Sequence, residues 1–340
     1  NKSYRVQHFR LTKHHQKHFQ NDATLDYIDL YVSDSQVFVG NSLVFSVFTS
    51  SGENVTTSTD FYVNSIKIPS NTYIFNDVGD YSVYASYNGM DSEIIQISVF
   101  PTPLEFNKNV LVEDFTGTWC GWCPRVSYAI KLLKDQEADV SFVAIHNGDQ
   151  MAINGEASIR QFFGINSFPT ALINRQSTWS GSQPGNLGQV TAEIGKKSYS
   201  SVAIESSLDG RELSVTIKLK MGFSYDRIRL GLFLLEDGLV YNQSNYTSYY
   251  ADITNGQTAI RFIHDDVLRH SFGSVFGDVL SGENVGHDKI YSKEFQYTIP
   301  PNFKIENLKL VGFAADFEDR YFINSRPSNI GENQDFQPAD

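Results

Sequence analysis

The chain has 340 residues, more than one hydrophobic core usually organises, so two or three domains are expected. At 41% hydrophobic and 19% charged residues it is able to bury sizeable cores, which excludes a chain disordered as a whole. A net charge of −12 excludes binding nucleic acid through its phosphates, which needs clustered Lys and Arg to displace counterions.

The first segment runs against that charge. NKSYRVQHFRLTKHHQKHFQ carries five Lys or Arg, four His and no acid. Residues 1–24 read as a flexible basic tail, with a basic arm on an anionic surface or a His-rich metal tract as the functional alternatives. The chain opens at Asn1, not Met, and shows no signal peptide, so an export signal is expected to have been removed upstream. No run of eighteen apolar residues occurs, and no spanning helix is expected.

Residues 25–102 alternate apolar and polar, with turn residues between LDYIDLYV, LVFSVFTS, DFYVNSIKI, YSVYASYN and EIIQISVF. That is the pattern of a small antiparallel sandwich. DVGDYSVYA places Asp77, Gly79 and Tyr81 at the spacing of a tyrosine corner. The module resembles an immunoglobulin-like β-sandwich, and none of its residues suggests chemistry. PTPLEFNKN supplies a Pro-punctuated boundary.

Over 103–199 strands and helices alternate. VLVEDF and VSFVAIH suit buried strands, Val126 to Lys134 has helical spacing, and GEASIRQFFG reads as a second short helix. ALINR and STWSG follow as strands, and NLGQVTAEIGKKSY as a closing amphipathic helix. This order predicts an α/β domain whose sheet is covered on both faces. The only two cysteines, Cys120 and Cys123, fall where the first strand hands over to the first helix.

That position suits redox chemistry. A helix N-terminus presents free N–H groups and partial positive charge, which lower a thiol's pKa. Cys120 is expected exposed and nucleophilic, with Cys123 in the first helical turn as the resolving sulfur. Pro124 fits the helix opening, where its missing N–H costs nothing. The competing reading is a metal site. Structural zinc needs four ligands, and with no second CxxC only His146 and a carboxylate remain to complete it. Neither a metal nor a separate cofactor is therefore expected.

The stretch VLVEDFTGTWCGWC, with FGINSFPT downstream, resembles the active-site segments of the thioredoxin superfamily. The resemblance implies a cis bond between Phe168 and Pro169, and Asp114 as the buried acid that exchanges protons with the resolving cysteine. A buried carboxyl has a raised pKa, which suits that task, while strand alternation turns Glu113 to the opposite face. Trp119, Trp122, Phe168 and Pro169 would shield the dithiol and guide an extended substrate. Gly-Trp stands between the cysteines where well-known cytosolic reductants have Gly-Pro, and NGDQMAINGE is longer than the family's usual connection. His146 ends the second strand, either as a cation near the dithiol or as a strand-end histidine bonded to its own loop.

Residues 200–340 return to strands: SVAIESSL, LSVTIKLKM, IRLGLFLLE, KIYSKEFQYTI, LKLVGFAAD and YFIN read as a second sandwich. One connection, AIRFIHDDVLRHSFG, crowds His264, Asp265, Asp266, Arg269 and His270 together. It is a candidate metal or acid-base cluster, or a capped loop whose Asp and Arg pair with each other.

The whole layout is similar to the outer-membrane-protein-28-related family of Bacteroidetes-type envelope lipoproteins. The resemblance covers about residues 105 to 325, through WCGWCP, the H-D-x-V-L-R segment and the VGFAAD strand. It implies a lipid anchor upstream of Asn1, with the basic tail as tether, and a place in the periplasm or outer membrane. The expected function is an envelope thiol-disulfide oxidoreductase, favouring reduction or isomerisation of exported proteins, with an unidentified electron donor. Membrane contact would come only through the anchor, and nucleic acid is not a partner. The competing class is a surface binding or adhesion lipoprotein on an inherited thioredoxin-like scaffold.

Overall fold

The computed structural model describes residues 27–338, and the basic tail expected over 1–24 lies outside the described residues. The protein is multidomain and mostly β, dividing into two compact units, Asn1–Thr102 and Pro103–Asp340. No helix among the described residues is long and apolar enough to cross a membrane.

The first unit pairs two antiparallel-rich sheets around one core. Ile28–Val32, Ser42–Thr49 and Thr72–Ile74 form one sheet, and Gln36–Phe38, Ile95–Phe100, Gly79–Tyr87, Asp60–Val63 and Ile66–Ile68 the main path of the other. Along Ser42–Thr49 every second residue is buried, so Leu43, Phe45 and Val47 share one face and meet Phe61, Val83 and Ile97. DFYVNSIKI, read from sequence as one strand, is a hairpin. Asn64 and Ser65 both take positive φ, and Val63 pairs with Ile66 across the two-residue turn. The Tyr81 hydroxyl donates to Asp77 O at 3.0 Å, the bond that the tyrosine-corner spacing predicts.

The second unit is built on a mixed nine-stranded sheet. Its centre is Val110–Thr116, buried at all seven positions, parallel to Val140–His146 and antiparallel to Thr170–Ile173. Burial at every position, including Glu113 and Asp114, belongs to a strand covered on both faces. Helix α1 (Pro124–Asp135) packs Val126, Ala129 and Leu133 on Val110, Val112 and Phe142. Helix α2 (Glu156–Phe162) covers the other face, setting Ile159 among Leu111, Phe115, Val143 and Ile145. The closing amphipathic helix shrinks to Gly188–Thr191. Gly195 takes φ +79°, and Lys197–Ser198 then pairs as a strand with Phe106–Asn107.

Residues 103–199 and 200–340, read from sequence as separate domains, contribute to the same sheet. Ala144 stands opposite Val267 in parallel register, and its N–H donates to Asp266 O at 2.8 Å. From there the sheet continues through Val267–Phe272, Arg227–Glu236, Leu308–Asp316 and Phe322–Asn329. A three-stranded sheet of Ser200–Asp209, Glu212–Met221 and Ile290–Thr298 packs on this half through Ile204, Leu213 and Ile217 against Leu232, Leu234 and Leu310.

AIRFIHDDVLRHSFG is not a loop. It forms two strands, Thr258–His264 and Val267–Phe272, joined by a turn in which Asp266 takes φ +58°. The charged cluster disperses, because alternation sends neighbouring side chains to opposite faces. Asp266 pairs with Lys134 at 2.6 Å and Lys309 at 2.5 Å, Asp265 accepts the Gly238 N–H, and Arg269 lies 3.4 Å from Glu236. His270 stacks on Tyr297 with ring centroids 4.2 Å apart. The Asp–Arg pairing expected within the segment is absent among the described residues because each partner finds its counter-charge on another strand.

Candidate active site

The strand Val110–Thr116 delivers the chain to a tight turn, and α1 leaves it. Within the turn the Cys120 N–H donates to Gly117 O at 3.0 Å and the Cys123 N–H to Cys120 O at 3.2 Å. Cys123 is the N-cap of α1, its carbonyl accepting from Val126 N–H at 2.9 Å, and Pro124 is the first helical residue. Cys120 and Cys123 are joined in a disulfide, with Cα atoms 5.4 Å apart.

Asp114 and Glu113 separate as alternation requires. Glu113 faces α2 and is held by Arg175, whose Nε and Nη2 donate to its two oxygens at 2.8 and 2.6 Å. Asp114 lies on the α1 face, fully buried, and its Oδ1 has no hydrogen-bond partner. Burial, with the Asp266 carboxylate adding to it, pushes its pKa up to about 8. The carboxyl is thus protonated near neutrality and able to give up or take a proton there.

Trp119 and Phe168 meet edge to face at 5.2 Å, and the Phe168-Pro169 bond is cis. The Trp119 Nε1–H donates to Asn147 O at 2.7 Å. The long 147–156 connection thereby anchors the first aromatic wall. Asp149 in the same segment accepts from Thr118 N–H at 2.8 Å and hydrogen-bonds His146 Nδ1 at 2.8 Å through one oxygen, while Met151 N–H donates to the other at 2.9 Å. Burial works against ionisation of Asp149, but these bonds outweigh it and its pKa is lowered. His146 is therefore a strand-end histidine bonded to its own loop.

One sequence expectation fails. Cys120, expected exposed, is only 4% accessible. The cover comes from the other half of the unit, a hairpin of Leu239–Ser244 and Thr258–His264 in which Leu239 pairs with His264. Ser244 N–H donates to Thr118 O at 2.8 Å and Tyr246 N–H to Gly121 O at 2.7 Å. The Gln243 carboxamide lies among Gly117 O, Cys120 O and Ser244 O at 2.9 to 3.1 Å. Tyr249 stacks on Tyr128 of α1 at 4.5 Å, and Tyr250 packs edge-on against both Tyr128 and Phe262. His264 reaches the base of the site, 5.2 Å from the His146 ring. Burial, reinforced by His146, holds its pKa down at about 3, and its Nε2 is buried without a hydrogen-bond partner.

Of the residues expected from sequence, Cys120, Cys123, Trp119, Trp122 and Phe168 share this neighbourhood, Asp114 lies in the strand leading to it, and His146 joins it through Asp149. Asp149, Gln243 and Tyr246 carry no such signal in the sequence, and His264, singled out there as part of a separate cluster, stands instead beside His146. YNQSNYTSYY reads as a polar loop, and only its density of tyrosines hints at a packed surface.

The likeness to known proteins is uneven along the chain. HBP35 of Porphyromonas gingivalis superposes with a TM-score of 0.54 at 20% identity, over 67% of this chain and 77% of that one, a likeness of fold alone. A domain of the outer membrane lipoprotein Omp28 from the same organism is 15% identical over 40% of this chain and 92% of that one, with a TM-score of only 0.27. No curated protein matches. The family model described as Outer membrane protein Omp28 matches residues 156–334, which include Gln243, Tyr246 and His264 but not the two cysteines. That match spans more than half of the 340 residues, and the chain belongs to the Omp28 family.

Proposed function

We propose that the protein is a cell-envelope thiol-disulfide oxidoreductase acting on exported proteins, with residues 103–199 as a thioredoxin-like segment that shares its sheet with strands of residues 200–340. Membership of an outer membrane protein family points to the envelope. The observation that carries the reading is the Cys120–Cys123 disulfide at the N-terminus of α1, with a protonatable Asp114 in the strand that leads to it. Cys120 is assigned as nucleophile, stabilised as thiolate by the helix N-terminus, and Cys123 as resolver. Asp114 exchanges a proton with Cys123 as the disulfide opens and closes. Trp119, Trp122, Phe168 and Pro169 flank the substrate. Reduction or isomerisation is the assigned direction, with electrons supplied by an exchanging dithiol partner. Omp28 of P. gingivalis is described as an outer membrane lipoprotein, and we extend lipid attachment to this chain.

The test is mixed-disulfide capture in an envelope extract. Cys123→Ser leaves a nucleophile without a resolver and is expected to trap exported proteins through Cys120, whereas Cys120→Ser is expected to trap none. Equal capture by both variants, or by neither, removes the assignment. A second reading, a surface binding protein on a redox-silent scaffold, draws on the burial of Cys120, and absence of capture favours it.

A further inference from the structure

The 239–264 hairpin makes the dithiol turn one half of a composite site. Its polar groups reach carbonyl oxygens on the turn itself: Ser244 N–H on Thr118, Tyr246 N–H on Gly121, and the Gln243 carboxamide on Gly117 and Cys120. Gln243 is buried, and a buried carboxamide is costly unless its donors are used. Its Nε2 lies 2.9 Å from Cys120 O, which fixes the turn and sets a partial positive charge beside the first sulfur's backbone. The ring of Tyr246 rests on Gly121 so closely that a Cβ there would meet it at 2.3 Å.

Aromatic rings then stand on both flanks. Trp122 is edge-on to Tyr246 at 6.1 Å, and Trp119 is edge-on to Phe168 at 5.2 Å. Trp119, Trp122 and Tyr246 are 49%, 54% and 51% exposed while Cys120 is nearly covered. Large apolar groups left half in water around a concealed reactive sulfur form a surface that gains from apolar cover. An extended segment with apolar side chains would cover these rings, whereas a small hydrophilic disulfide gains nothing from them.

We infer that Gln243 and Tyr246 complete the redox site, Gln243 as a positioning residue for the dithiol turn and Tyr246 as a specificity-determining residue. The substrate class is a disulfide carried on an extended polypeptide segment with aromatic or aliphatic neighbours. This rests on the oxidoreductase reading. In the reduced protein the Cys120 thiolate attacks one substrate sulfur, and the second substrate sulfur leaves as a thiolate. The Cys123 thiolate then attacks Cys120 Sγ and expels the first sulfur as a thiolate. The protein dithiol loses two electrons, and the substrate disulfide gains them.

The test uses the full chain, reduced with dithiothreitol and freed of it. Oxidation of the dithiol is followed with three probes: a disulfide peptide with aromatic neighbours, the same peptide with Ser and Asp neighbours, and oxidised glutathione. Wild type is expected to react about tenfold faster with the aromatic peptide than with the polar one, a preference of the size that one or two aromatic contacts supply. Tyr246→Ser is expected to lose most of that preference while still reacting with glutathione, and Tyr246→Leu to keep part of it. Gln243→Met is expected to slow alkylation of Cys120 near neutral pH about threefold and to move its pH midpoint upward, a change that a purely structural role does not produce. An unchanged preference in both Tyr246 variants, or an unchanged midpoint in Gln243→Met, overturns the corresponding assignment while glutathione exchange leaves the oxidoreductase reading standing. A wild type that reacts with none of the three probes overturns both.

Discussion

Glu113 and Asp114 are neighbours in one strand, yet one carboxylate is clamped by a guanidinium while the other has an oxygen without any partner. The pleat alone separates them, turning Glu113 toward α2 and Asp114 toward α1. Two buried acids adjacent in sequence thus meet different environments, one paired with a guanidinium and one held protonated near neutrality.

The Glu113–Arg175 pair has no exposed side-chain surface on either partner, and the guanidinium sits 4.3 Å from the Phe322 ring centroid with Phe163, Phe276 and Phe313 around it. Removing one charge strands the other in an apolar cage. Arg175→Met is expected to cost about 3–5 kcal/mol in urea unfolding, and pairing it with Glu113→Leu to recover part of the loss. Equal stability of the single and double variants contradicts the cage as the origin.

Asp114 predicts a pH dependence with a definite sign. Between its ordinary value of 3.8 and about 8 the folded state holds a proton that the unfolded chain has released, so its contribution to stability falls as pH rises through that window. Asp114→Asn removes the effect. The stability gained by the variant over wild type is expected to grow toward pH 8 and then level off. His264, held down at about 3, titrates across part of the same range and Lys108, lowered by burial to about 8, above it, and the difference between the two proteins cancels both. The variant is also expected to slow the resolving step by about a hundredfold, measured as release of a trapped thiol.

Gly231 sits where the Phe313 ring presses on the sheet, and a Cβ there would lie 2.1 Å from that ring. Gly231→Ala is expected to destabilise the second unit by about 1–3 kcal/mol through overpacking. Thermal unfolding of the isolated variant checks it, and a variant as stable as wild type means that Phe313 has room to move.

In the first unit, the tyrosine corner offers a cleaner measurement. Tyr81→Phe deletes only the hydroxyl bonded to Asp77 O, and a loss of about 1 kcal/mol is expected in urea unfolding. No measurable loss means that water replaces the bond fully.

Much of this was legible in the sequence because local patterns carried it. The run VLVEDF, the Cys-Gly-Trp-Cys turn and Pro124 marked strand, turn and helix start, and Asp77 with Tyr81 marked a corner that the structure contains. The covering of Cys120 was not legible, because it depends on Gln243 and Tyr246 more than a hundred residues downstream, in a tract whose polarity suggests a free loop. The charged cluster around His264 misled for the opposite reason. Its residues are close in sequence, but two strands carry them to separate partners. The break expected near residue 200 rested on a change of pattern, and a single parallel bridge at Ala144 and Val267 carries the sheet across it.

That bridge bears on how such a protein could be cut or recombined. Phe115, Val143 and Ile145 from the dithiol half share one core with Phe233, Leu268, Phe313 and Phe322 from the other. A fragment ending near residue 199 would present those apolar side chains, and an unpaired strand edge, to water. Lifted out alone, the dithiol half would need a new cover for that core, and the compact unit is Pro103–Asp340.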